Sequence, residues 1–246
     1  MEFPVHVLGV HPHRVFDVLS LLVGAQLFWW LQRRSPRAFS SDERWTLAAG
    51  CLVGAALGAK LLVFLEEPRP LRVLADPGFW AGGKSIVGAL LGGLAGVELA
   101  KRLGGITRRT GDAFVVPLCV GLALGRVGCF LSGLTDDAYG TRTTLPWGVD
   151  FGDGPRHPTQ LYEIAFALGF LALVPWLSRR VPAEGDVFRV FMVMYFAFRF
   201  LEEFVRVAPR PYLGLTVYQW ACAAGLAYYA LDHLARRRRA PLAAAA

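Results

Sequence analysis

The sequence predicts an all-α polytopic membrane protein with about seven transmembrane helices, its N-terminus outside and its C-terminus in the cytoplasm. Three observations predict it. Of 246 residues, 54% are hydrophobic and 18% charged, whereas soluble domains carry about 25% charged and about 45–50% apolar residues. The mean hydropathy is +0.41, which implies more apolar surface than a soluble body of this size covers. Third, 14 of the 26 Lys and Arg fall in four groups, each beside a long apolar run: Arg33, Arg34, Arg37, Arg44; Lys101, Arg102, Arg108, Arg109; Arg179, Arg180; and Arg236 to Arg239. Nucleic-acid binders gather basic residues on one soluble face. Here the net charge of +7 is explained by topology, and no nucleic-acid partner is expected.

A spanning helix needs about 20 mainly apolar residues, and seven segments qualify: 14–32, 45–65, 82–100, 112–133, 158–178, 186–206 and 213–235. The first follows Met-Glu-Phe-Pro-Val-His, which lacks the basic start of a signal peptide, so it is expected to be retained. The second and third carry Gly50, Gly54, Gly58 and Gly88, Gly92, Gly96, and the fourth carries Gly121 and Gly125. Spacing by four puts each set on one helix face, where small residues let backbones approach closely in lipid. The fifth opens on Pro158, suited to a first helical turn. The basic groups follow segments 1, 3, 5 and 7, which sets those ends in the cytoplasm. A single integral membrane domain over 1–246 is expected, with loop 134–157 as a small outer, periplasmic-side cap and 236–246 as a basic, low-complexity cytoplasmic tail. The two halves show no repeat in hydropathy, which weighs against a repeat-built transporter.

Cys51, Cys119, Cys129 and Cys222 all lie in apolar stretches and form no CxxC pair. No zinc site, redox motif or other metal centre is therefore indicated, and no cofactor is called for.

Ionisable residues inside membrane segments are costly and point to function. Glu98, near Lys101 and Arg102, reads as an interfacial partner, while Lys60 and Lys84 lie near segment ends and are expected to snorkel to the headgroups. Tyr195, Arg199, Glu202 and Arg206 are spaced +4, +3 and +4, with Glu203 beside them, which lines them on one face of segment 6. Arg126 stands between Gly125 and Gly128 with no acidic residue within a turn. A deep, locally unpaired arginine beside glycines reads as an anion site, the guanidinium forking onto phosphate; an arginine partnered by a distant Glu is the alternative. A third cluster, Arg156-His157-Pro158-Thr159-Gln160-Leu161-Tyr162-Glu163, holds more polar groups than a helix cap needs.

In this order the clusters resemble the prolipoprotein diacylglyceryl transferase family of bacterial inner membranes. Residues 156–163 are similar to its R-H-P-x-Q-L-Y-E, Gly125 to Phe130 to its G-R-x-G-N-F, and Tyr195 to Arg206 to its Y-x-x-x-R-x-x-x-E-F-x-R. Gly82-Gly83-Lys84-Ser85-Ile86-Val87-Gly88 resembles its G-G-M-S-F-H-G-G, with Val87 where the family has His. The family's G-N-F-x-N-G-E reads Gly128 to Leu134 here, with Cys129, Ser132 and Leu134 in place of two Asn and a Glu, and Asp17 stands for a tyrosine of the first helix.

The resemblance implies transfer of the diacylglyceryl group of phosphatidylglycerol to the lipobox cysteine of a prolipoprotein signal peptide, releasing glycerol phosphate, by a multi-pass protein of the bacterial inner membrane. It implies that Arg126 and Arg199 bind the phosphate beside Tyr195, and that Gln160, Tyr162, Glu163, Glu203 and Arg206 line the substrate site. His157 is the candidate base, with Glu163 to orient it. Cys129, three residues from Arg126, is either a covalent carrier or a buried packing residue. Two other readings stay open: a paralogue that moves a lipid-derived group to another acceptor, and a non-catalytic membrane protein that binds phosphatidylglycerol.

Overall fold

The computed structural model describes all residues except 1, 2, 8, 67–72, 74, 75, 77, 78, 80–84, 182, 245 and 246. The glycines at 82 and 83 and Lys84 of the third segment therefore lie outside the described residues. Seven helices are described: α1 (Pro12–Arg34), α2 (Ser41–Glu66), α3 (Ile86–Leu103), α4 (Asp112–Ser132), α5 (Thr159–Arg180), α6 (Asp186–Glu202) and α7 (Val217–Ala244). They match the seven apolar segments in order. Among the described residues, four stretches are long and apolar enough to cross a membrane: Pro12–Arg34, Ser41–Glu66, Asp112–Thr135 and Thr159–Arg180. α3 carries Glu98, Lys101 and Arg102 within its 18 residues, and α6 has only 17. α7 runs on through the basic group to Ala244, so the expected tail is largely helical.

The chain divides into two compact units. The first comprises Met1–Ala38, Arg109–Tyr195 and Leu201–Ala208. Here α1 opens on Pro12 and ends on Arg33 and Arg34, where basic side chains meet the negative end of the helix dipole. It packs along α4 at small residues: a Cβ on Gly128 would stand 2.6 Å from Cβ of Phe16, and one on Gly121 3.5 Å from the Ser20 carbonyl oxygen. α4 ends at Gly133, whose φ of +58° is a left-handed value suited to glycine. Asp112, in the first turn of α4, accepts from the Gly185 and Phe188 amides at 2.7 and 2.9 Å and so caps α6 from outside. Phe166 and Phe170 of α5 pack on Phe191 and Tyr195 of α6 with ring centroids 5.1 to 6.3 Å apart, which fixes where the Tyr195 hydroxyl points.

The loop between α4 and α5 carries a short hairpin. Val149–Asp150 and Pro155–Arg156 pair antiparallel as β1 and β2. The turn between them uses Gly152 and Gly154 at φ +119° and +107°, and Asp150 Oδ1 accepts from both glycine amides at 2.8 and 2.9 Å. Those amide bonds lower the Asp150 pKa. Arg156 donates through Nε to Asp153 at 2.8 Å and through Nη1 to the Gly140 carbonyl at 3.1 Å. Its guanidinium lowers the pKa of Asp153, whose carboxylate in turn raises that of Arg156.

The second unit comprises Phe39–Arg108, Phe196–Phe200 and Pro209–Ala246. Its core is the α2–α3 pair, joined through the glycine rows read from the sequence. A Cβ on Gly54 would fall against the Gly92 carbonyl oxygen, and one on Gly58 against that of Gly88. Ser85 caps α3 by accepting from the Gly88 amide at 3.1 Å. Lys60 is a correction. It does not snorkel: it is buried, and Nζ donates to the Phe79 carbonyl at 2.6 Å. Glu98 does pair with Lys101, at 2.8 Å. Leu52, Leu57 and Leu61 of α2 are exposed, the surface a lipid-facing helix presents.

Candidate functional site: a buried arginine–carboxylate cluster

The site is built in the first unit from α4, α5, the end of α6 and the outer loop. Arg126 comes from the last two turns of α4. The guanidinium is not unpaired, contrary to the expectation from its local sequence: Nη2 lies 2.5 Å from Oε1 of Glu163. Two buried charges attract strongly when little water separates them, and each alone would be costly. A helical-turn search along α4 could not find this partner, because Glu163 comes from α5.

Glu163 is fully buried and serves as a hub. Its Oε2 accepts from the Tyr195 hydroxyl at 3.1 Å, and Oε1 stands 3.6 Å from Nη1 of Arg206. Glu163 therefore does not orient His157, a second correction. The His157 Nδ1 instead meets the Tyr162 hydroxyl at 3.1 Å, and that hydroxyl accepts from Nε1 of Trp147 at 2.9 Å. Trp147 was not foreseen.

Arg206 is a third correction. The helix ends at Glu202, the buried Glu203 opens a 3-10 turn over Glu203–Val205, and Arg206 is extended at φ −88° and ψ 153°. It leaves the face that the spacing assigned to it. From there Nη2 donates to the Asp137 carbonyl at 3.1 Å, and its backbone bridges to Gly140. A Cβ on Gly140 would lie 2.5 Å from Cβ of His157, so glycine lets the loop close on the start of α5.

Several polar atoms in this cluster lack a hydrogen bond. Among the described residues, the donors Nε of Arg126 and Nε2 of Gln160 and the acceptor Oε1 of Gln160 are buried with no hydrogen-bond partner, and Nη1 of Arg206 has only its ion-pair contact with Glu163. Gln160 is wholly buried in the first turn of α5. Buried polar groups are ordinarily satisfied, so unsatisfied guanidinium and amide groups point to a polar ligand.

In the second unit, Arg199 is buried, with its guanidinium carbon 5.8 Å from the Tyr218 ring centroid. The same unit holds an apolar cleft of about 720 Å³ lined by Leu61, Leu65, Leu91, Val217 and Trp220 among others.

The family model for prolipoprotein diacylglyceryl transferase matches residues 3–231. The chain belongs to the prolipoprotein diacylglyceryl transferase family. Among its relatives is the phosphatidylglycerol–prolipoprotein diacylglyceryl transferase of Nitratidesulfovibrio vulgaris (strain DP4), 37% identical over 222 residues that cover 82% of this chain and 80% of the relative. The protein of that name from Geobacter sulfurreducens is 38% identical over 240 residues, 87% of each chain. That from Methylococcus capsulatus is 34% identical over 221 residues, 82% of this chain and 80% of the relative. The family is one of membrane transferases, and the arginine-rich cluster of α4, α5 and Arg206 is where this member concentrates buried charge.

Proposed function

We propose that this chain transfers the diacylglyceryl group of phosphatidylglycerol to the lipobox cysteine of a prolipoprotein, releasing glycerol phosphate, and that it does so as a seven-span protein of the bacterial inner membrane with its N-terminus outside. The single observation that carries the reading is the set of buried polar atoms without a hydrogen bond on Arg126, Arg206 and Gln160 around the Glu163 hub. A phosphodiester is rich in acceptors, and a guanidinium fork matches it.

The chemical problem is displacement at a glyceryl carbon with a phosphate ester leaving. Negative charge grows on that phosphate as the bond breaks. Donors fixed in a dry site stabilise such charge without reorganising, commonly the largest catalytic contribution. Glu163 holds Arg126 through Nη2 and leaves Nε free to face the substrate. Arg199 is assigned to the same phosphate on its sequence motif, and Tyr195 positions Glu163 through its hydroxyl. Gln160 and Arg206 bind the headgroup. His157, held by Tyr162, receives the proton of the acceptor thiol. Glu203 supports the turn that carries Arg206. The periplasmic-side loop 134–157 caps the site, and the cytoplasmic side takes the basic helix ends.

The deciding experiment incubates the purified chain with phosphatidylglycerol and a lipobox peptide. Release of glycerol phosphate with a peptide mass increase of one diacylglyceryl group is the expected result. Phosphatidylglycerol binding without release would favour a binding protein, and release without peptide modification would favour another acceptor.

A further inference from the structure

A second cluster lies where the start of α1 crosses the end of α4. His13 faces Asp17 one turn on, with Nδ1 3.2 Å from Oδ2. Its other nitrogen, Nε2, lies 3.6 Å from Oδ2 of Asp136, just past α4. Cys129 completes the group: a ring nitrogen of His13, Sγ of Cys129 and a carboxylate oxygen of Asp136 all lie within 4.8 Å of one another. Gly128 makes the meeting possible, because any side chain there would push Phe16, and α1 with it, off α4.

We propose that His13, Cys129 and Asp136 bind a zinc ion whose fourth position takes the thiol of the acceptor cysteine. This rests on the transferase reading above, which supplies a thiol acceptor.

The His13–Asp136 separation fits the metal. Tetrahedral zinc with bonds of about 2.0–2.3 Å holds its ligand atoms roughly 3.3–3.8 Å apart, and the separation of 3.6 Å between Nε2 and Oδ2 falls in that range. That Oδ2 is also buried with no hydrogen-bond partner among the described residues, and its neighbour in the cluster is Nε2 of His13. Asp17 on Nδ1 leaves Nε2 facing the other two groups of the cluster, the carboxylate–histidine–metal arrangement that orients zinc ligands. A thiolate, an imidazole and one carboxylate select zinc over magnesium or calcium, which take oxygen donors alone. Three protein ligands with one position open is the pattern of catalytic rather than structural zinc. The cluster is not sealed: the His13 side chain is 32% exposed. Nη1 of Arg126 lies 3.7 Å from Sγ of Cys129 and donates to it, which links the metal cluster to the phosphate cluster.

The step balances without a redox partner. A thiol that coordinates zinc is deprotonated, and its proton goes to His157, the acceptor proposed above. The zinc-bound sulfur attacks the glyceryl carbon of phosphatidylglycerol. The carbon–sulfur bond forms as the carbon–oxygen bond to phosphate breaks, and the electron pair leaves on the oxygen of glycerol phosphate.

The test uses the full chain in detergent micelles, stripped of metal and reloaded with Co²⁺ as a spectroscopic probe. One cobalt per chain with a thiolate-to-cobalt charge-transfer band is expected. Cys129→Ser should abolish that band, His13→Ala and Asp136→Asn should weaken uptake by at least about tenfold, and Cys119→Ala should leave both unchanged. A lipobox peptide should intensify the band and its Cys→Ser version should not. Absence of the band, or its persistence in Cys129→Ser, overturns the site. Full transfer activity in the metal-free chain overturns the metal's part in the reaction. A band that responds to the peptide while no glycerol phosphate is released upholds the zinc site and instead removes the transferase reading.

Discussion

Arg126 and Glu163 meet at 2.5 Å, both buried, across the α4–α5 interface. Removing one member of such a pair strands the other charge, at a cost of about 3–5 kcal/mol. Arg126→Ala and Glu163→Ala should therefore each lower the unfolding midpoint in detergent. The double variant should recover part of that loss, because no charge is then left stranded by this pair. Transfer activity should not recover with it, since the phosphate ligand is gone. Thermal unfolding beside glycerol phosphate release measures both quantities. Restored activity in the double variant would remove Arg126 from the reaction.

Tyr195 is wholly buried and donates to Glu163 at 3.1 Å. A hydrogen bond to a charged group contributes about 1.5–3 kcal/mol. Tyr195→Phe keeps the ring packing against Phe191 and Phe166 but frees Glu163 to shift with Arg126. We predict a fall in kcat of roughly 10- to 100-fold with little change in unfolding midpoint, on that energy scale. An unchanged kcat would mean that Glu163 holds Arg126 without help.

Gln160 presents its amide in the first turn of α5 with no hydrogen-bond partner among the described residues. Gln160→Leu, close in volume, removes the polar atoms while filling the space. If the amide binds the headgroup, KM for phosphatidylglycerol rises several-fold and the fold becomes slightly more stable, because an unsatisfied buried amide costs about 1–3 kcal/mol. Unchanged KM together with raised stability would make Gln160 a mere packing defect.

Helix order, the close glycine packing and three of the basic helix ends were legible because they depend on local composition and period. The glycine rows at 50, 54, 58 and 88, 92, 96 meet face to face as spacing by four requires. What stayed hidden is contact between distant segments. Glu163 was visible as a polar residue, yet nothing in its surroundings announced Arg126 as its partner. His13 and Asp136 drew no notice singly, and Cys129 was weighed only as a carrier or a packing residue. A metal cluster drawn from three segments has no spacing signature such as CxxC. Arg206 was misplaced because period alone does not report where a helix stops.

Gly54 and Gly92 test the packing directly. A Cβ at either would collide with backbone rather than with a side-chain end, and backbone cannot swing away. Gly54→Ala or Gly92→Ala should destabilise by about 1–3 kcal/mol or more, as overpacking does. Gly169, mid-α5, has no heavy atom within 4 Å of its would-be Cβ. Gly169→Ala should be neutral or stabilise by up to about 1 kcal/mol through helix propensity. Equal stability of all three variants would refute the close approach of α2 and α3.

The outer hairpin carries a pH dependence whose sign is fixed by Asp153 and Arg156. Arg156 lowers the Asp153 pKa below its ordinary value of 3.8, so the folded carboxylate holds its proton less tightly than the unfolded one. Such a group supports the fold above the unfolded pKa, and its support is lost as pH falls through the folded value. Asp150, lowered by the Gly152 and Gly154 amides, acts in the same direction. Hairpin protection, corrected for intrinsic exchange, should thus be flat from neutral pH down to mildly acidic pH and drop only below the ordinary carboxylate range. Asp153→Asn should lose protection across 148–156 from neutral to mildly acidic pH, where the wild-type ion pair with Arg156 exists, and should converge on wild type once pH falls below the folded value. Hydrogen exchange with mass spectrometry on that peptide decides it: a wild-type transition near neutrality would assign the pH response to a group other than Asp150 and Asp153.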